Sequence, residues 1–451
     1  MIAARYWACV SHQQRQRIMT IVTIAPPQRL RGTIEVPGDK SISHRAVLFN
    51  SLADGEADIT HFLPGADCRS TIACMRALGV TINHDGDSVH VIGRGLHGLQ
   101  EPADILDCGN SGTTLRLLTG ILAGQEGMFA VLTGDASLRS RPQKRIVAPL
   151  RALGAVLDGR KGGELAPLGV RGARLHGGAY ELPIASAQVK SALLLAALAG
   201  TGPLTLTGRT DGRDHTERML AAMGVDIVTE GVTVRLTPTT HPGIPKSLSL
   251  HVPGDPSSAA FWWVAAAIHP DAELTTVGVC LNPSRTGALE ALRMMGADLT
   301  ISNERMAGSE PVGDVTVRSS RLRGIEIGGS IIPRLIDEIP VLAIAAACAT
   351  GDTLVRDAQE LRAKETDRIA TVAHGLDAMR VTVEPTGDGM GITGGRLRGA
   401  TLASHEDHRL AMAWAIAGLV ASNETIITGA EAVDVSYPGF WETLKQIGGD
   451  A

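Results

Sequence analysis

Six short segments place hydroxyl, amide or carboxylate side chains at the front of Ala/Leu-rich apolar stretches. They are Ser41-Ile42-Ser43-His44-Arg45, Asn110-Ser111-Gly112-Thr113-Thr114, Ser186-Ala187-Gln188-Val189-Lys190, Asp255-Pro256-Ser257-Ser258, Asp337-Glu338 and Asp407-His408-Arg409. Each reads as a helix start. A helix N-terminus carries unpaired N–H groups and a partial positive charge, so it is a natural anion site. N-capping alone accounts for the Ser, Asp and Asn residues. It does not account for Lys40, Arg45, Lys190 and Arg409 beside the caps, because cations disfavour a helix N-terminus. An anionic partner does account for them, and the predicted chemistry is the handling of phosphates and carboxylates.

Five constellations carry that chemistry further. Pro37–Arg45 looks like the end of a Walker A loop, but Asp39 stands before Lys40 and the earlier glycine is missing, which excludes nucleotide hydrolysis. Lys40, Ser41 and Arg45 remain a compact donor set for phosphate or carboxylate. In Gly109–Arg116, Gly112 allows close approach of a ligand to the backbone. Gly134–Pro142 carries Arg139, read as a solvated surface residue, and Arg141. Arg362–Arg368, if helical, sets Lys364 and Arg368 on one face with Glu365 beside them. Glu406–Arg409 is the fifth.

The elements that must position these residues repeat. With Ser43, Thr113, Gln188, Ser258, Asp337 and His408 as markers, the steps are 70, 75, 70, 79 and 71 residues. A second series marks helix ends: Met75–Val80, Leu150–Ala155, Leu220–Val225, Leu292–Ala297 and Leu444–Gly448 close on glycine, and Leu376–Val381 puts Arg380 in its place. Each reads as an amphipathic helix with a glycine C-cap, followed by a strand. The unit is therefore βαβαββ, too long for a solenoid repeat. Val-Pro-Gly-Asp occurs twice, at Val36–Asp39 and Val252–Asp255. The pair predicts two α/β domains of three units each, 38–253 and a discontinuous 19–37 plus 254–451. A strand around Ile21–Glu35 then belongs with the C-terminal half. The chain crosses twice, which makes a hinge with a ligand cleft between the domains.

Composition narrows the class. Net charge is -5, aromatics are 3% and glycines number 52. Cores must be built from Ala, Leu, Val and Ile, and nothing points to nucleic acid or an anionic membrane. The six cysteines lack C-x-x-C spacing, so neither a zinc site nor a disulfide framework is expected and a reducing cytosol fits. No apolar run is long enough to span a bilayer. Ala259–Ile268 and Ile339–Ala349 read as buried core helices. Residues 1–18 read as a disordered extension or a mis-assigned start, not a secretory signal.

In combination and in this order, Pro37–Arg45, Gly109–Arg116, Arg141-Pro142, Ser186-Ala187-Gln188, Arg213-Asp214-His215-Thr216, Asp337, Arg362–Arg368 and Asp407-His408-Arg409 resemble the 5-enolpyruvylshikimate-3-phosphate (EPSP) synthase family. The resemblance covers about Ile21 to Gly448. It implies a two-domain inside-out α/β barrel that joins phosphoenolpyruvate to shikimate 3-phosphate in the shikimate pathway, with no metal or organic cofactor, as a cytoplasmic monomer. It places shikimate 3-phosphate on Lys40, Ser41, Arg45, Ser186, Gln188, Arg213, Asp337 and Lys364. It places phosphoenolpyruvate on Lys40, Gly112, Arg141, Gln188, Arg368 and Arg409. It makes Asp337 and Glu365 the acid/base pair, with Lys40 and Lys364 assisting. It also implies sensitivity to glyphosate, because Gly112 is not alanine.

Some positions depart from members that carry a lysine before an aromatic-Pro pair. Here the stretch is Asp434-Val435-Ser436-Tyr437-Pro438, and Arg213 stands where others have tyrosine. Two rivals are weighed against this resemblance. The UDP-N-acetylglucosamine enolpyruvyl transferases share the fold but carry a loop cysteine, absent from Gly134–Arg145; Cys108 reads as a core thiol. A non-catalytic anion-binding relative would lack Asp337, Glu365 or Lys40.

Overall fold

The computed structural model describes residues 20–448. The expectation for residues 1–18 lies outside them. All six helix starts are present. Lys40–Leu52, Gly112–Ala123, Ala187–Ala197, Pro256–Ile268 and His408–Gly418 are capped by the side chains of Asp39, Ser111, Ser186, Asp255 and Asp407. Ile339–Ala347 begins after Glu338, which makes no side-chain cap bond. These helices are buried almost completely, as core helices must be.

The second series forms Ala66–Ala77, Lys144–Ala152, His215–Ala222, Gly287–Met294, Arg368–Ala378 and Phe440–Gly448. Gly79, Gly154, Gly224 and Gly296 follow the first four with φ of 86°, 97°, 87° and 91°, and Arg380 takes the same left-handed region at 68°. That conformation is what a glycine C-cap supplies without a Cβ clash.

Among the described residues, five four-stranded sheets and one three-stranded sheet surround the core helices. The second unit shows the pattern. Leu106–Asp107 lies parallel to Phe129–Thr133 across the core helix Gly112–Ala123. Val156–Gly159 and Leu165–Arg171 then add an antiparallel hairpin. Burial alternates along the outer strands, with one face on the helices and one in water. Helices inside and sheets outside give the inside-out arrangement, with the sheets left open rather than joined into a closed ring.

Two units borrow their first strand. Leu30–Glu35 pairs parallel with Ala272–Cys280, and Leu250–His251 pairs parallel with Glu56–Thr60. The single strand expected around Ile21–Glu35 is two, Ile21–Ile24 and Leu30–Glu35, because Pro26 and Pro27 cannot donate to a ladder. The first of them pairs with Thr425–Thr428. The apolar core falls into two clusters, one dominated by residues between Ile42 and Val252, the other by Ile24–Val36 and residues from Ala259 onward. No helix among the described residues is long and apolar enough to cross a membrane.

Candidate active site

The six core helices point their N-termini at one cleft between the two clusters. Lys40, Ser41, Arg45, Gly112, Arg141, Ser186, Gln188, Arg213, Asp337, Lys364, Glu365, Arg368 and Arg409 all line it. Every site residue that the family resemblance implies is therefore in one place. Arg139 is not among the lining residues, and its guanidinium is turned onto the Gly134 carbonyl.

One wall comes from residues 40–213. Arg45 is held rigidly: Nε donates to Thr216 Oγ1 at 2.7 Å, Nη2 to Ser191 Oγ at 2.8 Å and Nη1 to the Ser41 carbonyl at 2.9 Å. Burial brings its pKa down to about 10, although Glu217 and Asp39 oppose the shift. Arg116 donates through Nη1 to Gln188 Oε1 at 2.6 Å, and Gln188 donates to Thr113 at 3.0 Å. Burial and the cations Arg145 and Arg141 push Arg116 well below its ordinary range. Lys40 rests 3.2 Å from Asp67. Burial lowers its pKa, but Asp67, Glu365 and Asp337 outweigh that and leave it raised. Lys190 does not join this wall. Its anion is internal: it pairs with Glu217 and donates to the carbonyls of Thr210 at 2.8 Å and Gly212 at 3.1 Å, bracing the loop that carries Arg213.

The opposite wall carries the acids. Asp337 receives Arg213 Nη2 at 2.6 Å across the cleft, with Lys364 at 3.3 Å and Arg368 at 3.6 Å. Burial alone would raise its carboxyl, but Lys364, Arg213, Arg409 and Arg368 hold it well below the carboxylate range. Glu365 accepts from Arg368 at 2.7 Å and lies 3.9 Å from Arg141. Burial again raises, and Arg368, His408, Arg141 and Lys40 lower more strongly. Burial, with Lys40 and Arg409, keeps His408 well below its ordinary range, and both of its ring nitrogens are without hydrogen-bond partners. Arg368 Nη1 and the Nε atoms of Arg141 and Arg145 also lack them. Buried donors left open in a cleft with ten Lys/Arg and five Asp/Glu side chains fit a polyanionic ligand.

Arg362–Arg368 is not a continuous helix. A 3₁₀ turn at Gln359–Ala363 ends in an extended Lys364, and Arg368 opens the next helix. Lys364 and Arg368 still converge, on Asp337, through the break rather than through an i,i+4 face.

Sequence reasoning missed several cleft residues. Arg145 bridges to Glu360 at 3.1 Å, a third ion pair across the cleft. Arg285 is the largest omission: it is buried and donates to Asp39 through Nη1 and to Asp255 through Nη2 at 2.8 Å. It thus joins the last residues of both Val-Pro-Gly-Asp copies. The repeat was the available signal; its partner is too distant in sequence to be paired with it.

The comparisons agree with the geometry. The family model described as EPSP synthase (3-phosphoshikimate 1-carboxyvinyltransferase) matches residues 24–444. The chain belongs to the EPSP synthase family. It is 73% identical over 430 residues to the 3-phosphoshikimate 1-carboxyvinyltransferase of Roseiflexus sp. (strain RS-1), covering 95% of this chain and 99% of that one. A Chloroflexus aurantiacus (strain ATCC 29366 / DSM 635 / J-10-fl) protein of the same name is 68% identical, covering 94% and 98%. An EPSP synthase structure from Acinetobacter baumannii superposes with a TM-score of 0.84 at 43% identity, covering 95% and 98%. Within this family fold, Cys108 is fully buried. A hydrogen bond with Cys74, reinforced by burial, raises its thiol well above the ordinary range, as suits a core thiol rather than a loop nucleophile.

Proposed function

We propose that this chain transfers the enolpyruvyl group of phosphoenolpyruvate to the 5-hydroxyl of shikimate 3-phosphate and releases inorganic phosphate. The observation that supports the reading is the convergence on one cleft of the thirteen site residues that the sequence resemblance implies. Lys40, Ser41, Arg45, Ser186, Gln188, Arg213, Asp337 and Lys364 hold shikimate 3-phosphate. Lys40, Gly112, Arg141, Gln188, Arg368 and Arg409 hold phosphoenolpyruvate. Both ligands are polyanions, and cations from two walls offset their repulsion in a site that excludes water.

Asp337 takes the hydroxyl proton as the new C–O bond forms at C2 of phosphoenolpyruvate, with Lys364 at 3.3 Å to assist. Glu365 delivers a proton to C3 and later removes one as the C2–O bond to phosphate breaks. Adjacent carboxylates with different neighbours divide these tasks. Their depressed pKa values belong to the free cleft. Substrate anions compete for the same arginines and lysines, which weakens the pull that holds both carboxyls low and leaves the opposing effect of burial. The cations thus switch from holding acids ionised to holding substrate.

We read 38–253 and 19–37 with 254–451 as the two domains, and the protein as a cytoplasmic monomer. Phosphate release with shikimate 3-phosphate as acceptor tests the activity. Equal release with shikimate or UDP-N-acetylglucosamine would overturn it.

A further inference from the structure

Glu35 and His251 occupy equivalent positions: each immediately precedes a Val-Pro-Gly-Asp copy where the chain crosses between domains. The two crossings run side by side. Asp39 N donates to the Pro253 carbonyl at 2.8 Å and Asp255 N to the Pro37 carbonyl at 2.9 Å. Arg285 grips one end of the pair through Asp39 and Asp255. At the other end Glu35 and His251 meet a third residue, His61, and one ligand atom from each of the three lies within 4.8 Å of the others.

His61 is built into this place. It follows the strand Glu56–Thr60 and takes a left-handed φ of 53°, a costly conformation for a residue with a Cβ. Its carbonyl oxygen would lie 1.9 Å from a Cβ at Gly38, so the residue is seated directly on the first crossing. Its Nδ1 lies 2.7 Å from the Val252 carbonyl of the second crossing. A carbonyl only accepts, so Nδ1 carries a proton, and the nitrogen left to face a ligand is Nε2, 3.9 Å from Glu35 Oε1. A ring nitrogen fixed by a backbone carbonyl is how a metal-ligating histidine is usually oriented. The His251 ring stacks on it with centroids 5.0 Å apart and planes 8° apart. Two imidazoles and a carboxylate are a zinc-type donor set, with a fourth position left to water. Ligands on a tetrahedral zinc sit about 3.3 Å apart. The exposed Glu35 side chain is free to close that distance, while His251, whose Nδ1 lies 3.1 Å from Thr60 Oγ1, must turn out of the stack to bring a ring nitrogen onto the same ion. Arg305 lines the same hollow, with Nη1 donating to the Asn303 carbonyl.

We propose that Glu35, His61 and His251 bind a divalent transition metal of the zinc type, which staples the two interdomain crossings together. A bound ion shifts the domain equilibrium by its differential affinity for the open and closed forms. By reciprocity, substrates that close the cleft change the affinity for the metal. That second effect rests on the proposed function, whereas binding itself does not.

The test is calorimetric titration of Zn²⁺ into chelator-treated, substrate-free protein, with Co²⁺ absorption spectra to report coordination. Wild type is expected to bind one ion per chain, give an intense tetrahedral Co²⁺ band and melt at higher temperature with Zn²⁺. His251→Ala and Glu35→Gln, both at exposed positions, should weaken binding at least by the roughly tenfold that loss of an outer hydrogen-bonding partner costs, and the double variant should lose the Co²⁺ band. Absence of one-to-one binding, or a double variant whose binding and melting shift match wild type, overturns the proposal. Enzyme activity enters neither readout, so failure here is distinct from failure of the proposed reaction.

Discussion

The two walls of the cleft are built from the same repeated helix start yet present opposite chemistry. On the wall from residues 40–213, Arg45 and Arg116 are braced by neutral partners, Thr216 and Ser191 for the first and Gln143 and Gln188 for the second, while Arg213 and Arg145 reach across to carboxylates. On the facing wall, cations are held by carboxylates: Arg368 contacts Asp407, Glu365 and Asp337. A neutral brace leaves an arginine's charge free for a ligand. A carboxylate neighbour spends that charge on an acid that can later move a proton. The repeated helix starts supply equivalent anion-ready ends, and side-chain partners give the two sets different electrostatic surroundings.

Breaking the facing wall should cost most. Asp337→Ala and Glu365→Ala are expected to lower kcat by about 10²–10⁴-fold, the worth of general acid–base catalysis, with smaller changes in KM. Near-normal turnover in a stopped phosphate-release assay would remove the acid/base assignment.

Removing the residue that joins the walls should appear in stability first. Arg285→Met leaves Asp39 and Asp255 without their shared cation, and losing one member of a buried ion network costs about 3–5 kcal/mol. Denaturant unfolding should show that loss.

The binding wall should respond in KM. A Cβ at Gly112 would stand 2.5 Å from Arg116 Nη1, whose guanidinium is already tied to Gln143 and Gln188. Gly112→Ala must move it, at about the 1–3 kcal/mol that overpacking costs. The expected outcome is a raised KM for phosphoenolpyruvate, little change for shikimate 3-phosphate, and weaker inhibition by glyphosate than in wild type. Equal effects on both substrates would blur the contrast between subsites.

The mildest effect is on acid stability. Asp337 and Glu365 are depressed when folded, below ordinary values of 3.8 and 4.5. Their contribution is complete above those ordinary values and is lost as pH falls through the depressed folded ones. Melting temperature should therefore fall less steeply below pH ~4 in Asp337→Asn than in wild type. Parallel curves would indicate that the cations do not hold Asp337 in solution.

Much of this cleft was legible because its signals are local. A cap, a following cation and an apolar run sit within a few residues, and Gly79 or Gly154 marks a helix end by its own backbone need. What escaped depends on contacts distant in sequence. Arg285 joins Asp39 to Asp255, Glu360 answers Arg145, and Leu250–His251 completes a sheet begun at Glu56. Lys190 misled because its anion, Glu217, is on the following helix rather than in a ligand. Charge density at Arg362–Arg368 imitated a helix face, while the extended backbone at Lys364 breaks it.

The exchange of first strands also fixes an order of events during synthesis. All three sheets formed between Glu56 and His251 are complete without any later residue, so that half can fold while the chain is still emerging. The earliest strands cannot. Leu30–Glu35 waits for Ala272–Cys280, and Ile21–Ile24 waits for Thr425–Thr428. Until then they are unpaired edges, the state in which strands attach to the wrong neighbour. A strand made early is thus among the last to find its place, and the half of the molecule that carries Asp337 and Arg409 is not complete until Thr425–Thr428 has been made.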